Sequence, residues 1–67
     1  MLKNNLAVLM ARKKIRIAEL HRITGISASS LSNLYNEKTD MISFRTIEKL
    51  CEALDCTVGE LFEYIPE

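Results

Sequence analysis

Residues Ile17 to Asn36, IAELHRITGISASSLSNLYN, limit what this chain can fold into more than any other stretch. A short helix from about Ile17 to Thr24 meets a break at Thr24-Gly25-Ile26-Ser27, and a second short helix follows over about 28–35. Gly25 suits the position just past a helix end, where glycine alone takes a left-handed backbone without steric cost. Ile26 follows as an apolar residue able to fold back on the helix it leaves. Ser27 is placed to cap the next helix, its hydroxyl accepting an orphan amide N–H. Helices joined by so short a turn cannot lie antiparallel. They cross steeply, and one of them is presented at the surface.

The second helix sorts its residues by face. Leu31 and Leu34 point inward at a spacing of three, while Ala28, Ser29, Ser32 and Asn33 fall on the opposite side. That outward face is small, polar and uncharged, whereas an ordinary solvated helix face is rich in Glu and Lys. Small side chains let a helix backbone come close to a surface, and Asn33 offers a donor and an acceptor together. A helix lying in the major groove of DNA needs those properties.

A chain of 67 residues makes one domain, residues 1–67. At this size only about 60% of the unfolded surface is buried, so compact helix packing or a partner is required. No apolar run approaches ~18 residues and no N-terminal signal pattern is present, so the expectation is a cytoplasmic protein with no membrane partner. The net charge is zero, but it is unevenly spread. Residues 1–38 carry seven Lys or Arg against Glu19 and Glu37, whereas residues 39–67 carry Arg45 and Lys49 against seven acids. The halves are therefore +5 and −5, and the basic half is the one with the paired helices. Such a dipolar domain can turn a basic face to phosphate and an acidic face away.

Cys51 and Cys56 make neither a disulfide framework nor a zinc site, because no second pair exists and His21 is remote in sequence. Cys51 falls on the inward stripe of a helical pattern and reads as a small core residue. His21, beside Leu20, reads as a packed or half-exposed histidine. No metal, cofactor or small-molecule ligand is expected. With no carboxylate pair, nucleophile motif or phosphate loop, an enzyme is not expected either.

The flanking segments complete an all-α reading of five helices. Leu2, Leu6, Leu9 and Met10 form the stripe of an N-terminal helix, capped by Asn4 or Asn5 and ending in Arg12-Lys13-Lys14. Those cations suit the negative end of the helix dipole, or phosphate. Ala18 and Thr24 join Leu20 as core candidates. Ser43 caps the next helix, Phe44 packs at its start, and Ile47, Leu50, Cys51 and Leu54 make its stripe. Thr57-Val58-Gly59-Glu60 is a capping box that opens a last short helix with Val58, Leu61 and Phe62 facing inward. Pro66 and its neighbours are expected to be poorly ordered.

In this order, the segment Leu20-(4)-Gly25-Ile26-Ser27-(3)-Leu31-(2)-Leu34, the Asn36-Glu37-Lys38 loop and Leu54-Asp55-Cys56-Thr57-Val58-Gly59-Glu60-Leu61-Phe62 resemble the phage-repressor/Cro-like helix-turn-helix family. This family is also called the xenobiotic-response-element type. The resemblance spans essentially the whole chain and is greatest to short single-domain bacterial members. It implies a five-helix, sequence-specific DNA-binding transcriptional regulator that acts on double-stranded DNA, usually as a dimer. It further implies that Ala28, Ser29, Ser32 and Asn33 read bases, and that Arg16, Ser27, Asn36 and Lys38 touch phosphates. Five positions depart from the family pattern. Ile17 replaces a common Gln, His21 an Ala, Ala28 an Arg or Gln, Tyr35 a Glu or Arg, and Glu37 the Gly of the loop.

The alternative is an antitoxin-like or accessory protein-interaction module with weak DNA binding, using the apolar Ile17, Ile23 and Tyr35 as its partner surface. For the regulator, a homodimer is expected, weak in free solution and joined through Leu61, Phe62, Tyr64 and Ile65 of the last helix. One recognition helix without Arg, Lys or Gln reads too few bases to select a genomic site alone.

Overall fold

The computed structural model describes every residue from Met1 to Glu67. Five helices follow one another: α1 (Leu6–Lys13), α2 (Ile17–Thr24), α3 (Ala28–Tyr35), α4 (Phe44–Leu54) and α5 (Val58–Leu61). Local chemistry sets their ends. Gly25, at φ 75°, closes α2 with its N–H donating to the His21 carbonyl. The Ser27 hydroxyl accepts the Ser30 N–H at the start of α3, and the Ser43 hydroxyl does the same for Thr46 at the start of α4. Thr57 and Glu60 complete a reciprocal capping box on α5.

The core is nine side chains: Leu6, Leu9 and Met10 from α1, Leu20 from α2, Leu31 and Leu34 from α3, Leu50 and Leu54 from α4, and Leu61 from α5. Every helix therefore contributes to one cluster, with Ile15, Ile26, Ile42 and Ile47 packed at its margin. Burying each leucine is worth about 1.5–3 kcal/mol, which is how helices of eight residues or so hold together.

The all-α class stands, with one addition. Two three-residue strands, β1 (Leu2–Asn4) and β2 (Phe62–Tyr64), pair antiparallel, with Leu2 opposite Tyr64 and Asn4 opposite Phe62. This corrects the N-terminal helix, which starts at Leu6 rather than Leu2. The four-residue step from Leu2 to Leu6 mimics a helical stripe, yet Leu2 remains 67% exposed. Asn5 holds the cap position of α1 without a side-chain cap, and the residue before it, Asn4, accepts the Leu6 N–H at Oδ1 while its Nδ2 donates to the Leu34 carbonyl. Asn5 instead ties the other end, its backbone N–H donating to the Leu61 carbonyl and its side chain to that of Glu60. The chain end is held as far as Ile65, which exchanges hydrogen bonds with Met1.

Five packing expectations are also corrected. Phe44 is 84% exposed because it is the first residue of α4 and projects from its end. Ala18 and Val58 lie on outward faces, and Cys51 is half-buried at the core's edge rather than enclosed. Phe62 is half-buried from the strand, not from a helix.

Candidate nucleic-acid interface

Leu31 and Leu34 anchor α3 from beneath, leaving Ala28, Ser29 and Asn33 exposed on the outer side and Ser32 half-buried. At the helix start the Ser27 hydroxyl is fully engaged. It accepts from the Ser30 N–H (3.1 Å), donates to the Ser30 hydroxyl (2.8 Å) and lies 3.3 Å from that of Ser29. The N–H groups of Ala28 and Ser29 keep no partner within the chain, so the positive end of α3 is open to an anion.

The far end of α3 is closed by its own loop. Asn36 Nδ2 donates to the Ser32 carbonyl (2.8 Å), with the Ser32 hydroxyl 3.4 Å away. Glu37 takes φ 57°, which turns the chain back so that the Lys38 N–H donates to the Asn33 carbonyl (2.8 Å). Lys38 is thereby placed beside Asn33, and the two line one cleft with Ser30, Ser43 and Thr46. Ser30, Ser43 and Thr46 were not among the expected site residues. Ser43 and Thr46 join only because the 39–43 segment returns alongside α3, an approach without any local sequence signal.

Arg16 occupies the cap position before α2, exposed, in a shallow apolar groove shared with Ile17 and Tyr35. The eight expected contact residues thus surround α3: four along it, Ser27 at its start, Asn36 and Lys38 past its end, and Arg16 near Tyr35. The Arg12 and Lys13 cations face elsewhere. They help hold the Glu60 carboxyl below its ordinary value of 4.5, after the larger effects of the Thr57 backbone and side-chain hydrogen bonds. Their partner is the start of α5.

His21 is exposed and donates from Nδ1 to the Ile26 carbonyl at 2.6 Å. Because its partner is a carbonyl, the ring nitrogen carries the proton there. The imidazole therefore bridges the turn between α2 and α3 instead of separating them, which explains how a histidine stands at a position where the family uses alanine. A short capped helix, presented at its small uncharged face by a glycine turn and flanked by Arg16 and Lys38, is the construction of a DNA-reading motif.

Residues 5–67 match the Cro/C1-type HTH DNA-binding domain. The chain belongs to that family. Its relatives in Bacillus subtilis (strain 168) include the uncharacterized HTH-type transcriptional regulator YozG, 38% identical over 60 residues, covering 90% of this chain and 71% of YozG. Another is the SPbeta prophage-derived HTH-type transcriptional regulator YopS, 47% identical over 58 residues, covering 84% of this chain and 76% of YopS. The fold is similar to the crystal structure of the transcriptional regulator VanUg, with a TM-score of 0.75 and 25% identity over 98% of this chain and 87% of VanUg. This Cro/C1-type domain is a DNA-binding transcriptional regulator. No helix of it is long and apolar enough to cross a membrane.

Proposed function

We propose that this regulator works in the cytoplasm as a sequence-specific homodimer on double-stranded DNA, with one α3 in the major groove of each half-site. The observation that carries this reading is the exposed, uncharged side of α3 with Lys38 hydrogen-bonded back against Asn33. Asn33 is the principal base reader, able to pair both donor and acceptor with an adenine edge. Ser29 and Ser32 add weaker preferences, and Ala28 allows close approach. Arg16 and Lys38 take phosphates by charge. Ser27 and Asn36, whose side chains are largely occupied within the chain, position the backbone around them.

The second copy is proposed to dock on the β1–β2 ribbon. Leu61 is wholly buried and leaves the dimer surface assigned to it, while Tyr64 (70% exposed) stays and Leu2 (67%) and Met41 (89%) join it. Leu2, Phe62, Met41 and Ile42 line a groove that also reaches Leu34. The surface therefore adjoins the Asn33–Lys38 cleft, as pairing two reading helices about one DNA turn apart requires.

Selection from random duplex DNA, followed by sedimentation of the complex, tests the whole reading. A palindromic motif with two protomers bound is the expected result. Salt-sensitive binding with no motif, or one protomer per site, would favour the interaction module. Lys38→Ala should weaken binding to all sequences alike and reduce the slope of log affinity against log salt by about one unit.

A further inference from the structure

The end of α4 carries a feature that DNA binding does not use. Asp55, at φ 50°, reverses the chain, and the Cys56 N–H donates to the Cys51 carbonyl (3.0 Å) while the Asp55 N–H reaches that of Glu52. In this type of helix ending, the residue after the left-handed one and the first hydrogen-bonded carbonyl residue normally touch through apolar side chains. Here both positions are cysteine, both are free, and both are half-buried rather than enclosed. Cys51 is near enough to Cys56 to help raise its thiol, after the larger effect of burial. The backbone hydrogen bond from Cys56 to Cys51 thus sets two cysteines side by side at the joint between α4 and α5, as the partners of a disulfide must be.

We propose that Cys51 and Cys56 are a native dithiol that a low-molecular-weight disulfide closes into an intramolecular bridge, stapling the end of α4 to the start of α5. The Cys51 thiolate attacks one sulfur of the reagent disulfide and expels one thiol. The Cys56 thiolate then attacks the Cys51 sulfur, breaks the mixed disulfide and releases the second thiol. The chain loses two electrons and two protons, and the reagent disulfide is reduced to two thiols.

The surroundings fix this order. Burial, followed by the neighbouring Cys51 and the carboxylates of Glu60 and Asp55, pushes the Cys56 thiol up to about 11. The first attack therefore falls to Cys51. Once Cys51 is in a mixed disulfide it is uncharged, so its charge no longer opposes ionisation of Cys56. The site makes Cys56 a resolving thiol rather than an independent nucleophile.

The test treats the full chain with glutathione disulfide, in native buffer and in guanidinium chloride, and follows intact mass after acid quenching. The expected product is the chain less both thiol hydrogens, formed at least about tenfold faster in native buffer, because the fold raises the effective concentration of one thiol near the other. Cys56→Ser should stop at a stable, uncyclised adduct on Cys51, and Cys51→Ser should form an adduct only slowly. The closed chain should also need more denaturant to unfold. A wild-type chain that keeps a stable glutathione adduct, closes no faster folded than unfolded, or unfolds at an unchanged midpoint once closed would overturn the proposal. No DNA enters the experiment, so its outcome is independent of the interface assigned to α3.

Discussion

Helices α3 and α4 are built alike on the inside and differently on the outside. Each starts at a serine whose hydroxyl accepts, at 3.1 Å, the N–H three residues on. Each buries a pair of leucines, Leu31 with Leu34 and Leu50 with Leu54. Beyond the core they part. The α4 helix carries Arg45, Glu48, Lys49 and Glu52, the mixture expected of a solvated helix, while α3 has no charged residue from Ala28 to Tyr35. Since α4 shows that the same cap and core tolerate a charged exterior, folding does not demand the bare face of α3. That face suits the close approach to DNA proposed for it.

The most severe way to break the comparison is from within. Leu50 is fully buried, and Leu50→Ala should cost about 2–5 kcal/mol in denaturant unfolding. The fraction that remains folded should keep its sequence preference; a changed preference would mean that α4 helps to shape the reading surface. From outside, Asn33→Ala should do the reverse. It should leave the unfolding midpoint nearly unchanged and remove about 1–3 kcal/mol of discrimination at a single base pair in each half-site. Equal loss at every position would place Asn33 on the backbone instead.

Smaller effects sharpen the contrast at the helix ends. Glu37 holds φ 57° just past α3, a conformation that favours glycine. Glu37→Gly should raise stability by up to about 1 kcal/mol, after the entropy cost of glycine, as read from thermal unfolding. On the α4–α5 side, the Glu60 carboxyl lies below its ordinary value of 4.5 because it accepts the Thr57 N–H. Its contribution is therefore present above about pH 4.5 and is lost as the pH falls through the lowered value. Glu60→Gln should flatten that part of the acid-unfolding curve, and an unaltered curve would show that the capping carboxylate does not stabilise the native state.

Much of this was legible because its causes are local. Gly25, Ser27, Ser43 and the Thr57–Glu60 pair act within a few residues, and each ends or starts a helix where the sequence placed it. The leucine stripes were equally plain. What escaped depends on chain segments far apart. Nothing near Leu2 announces Tyr64 as its partner, and strands of three residues are too short to show alternation. The same reason hid the ribbon under a spurious helical stripe and gave Leu61, a core residue, to a surface. The approach of Cys56 to Cys51 had no such signal: the helical stripe ends at Leu54, and only the left-handed turn at Asp55 folds the next residue back.

The ribbon has a bearing on the order in which the molecule assembles. Joining residues 2–4 to 62–64 closes a loop of nearly the entire chain, whereas every helix closes within a few residues. The entropy of that closure is met by few strand hydrogen bonds and mostly exposed side chains, so the ribbon belongs to the late-forming, first-opening part of the landscape. A second protomer resting on it would then bind the closed population in preference to the frayed one. Protein concentration would join temperature in setting how often the two ends of the chain are in register.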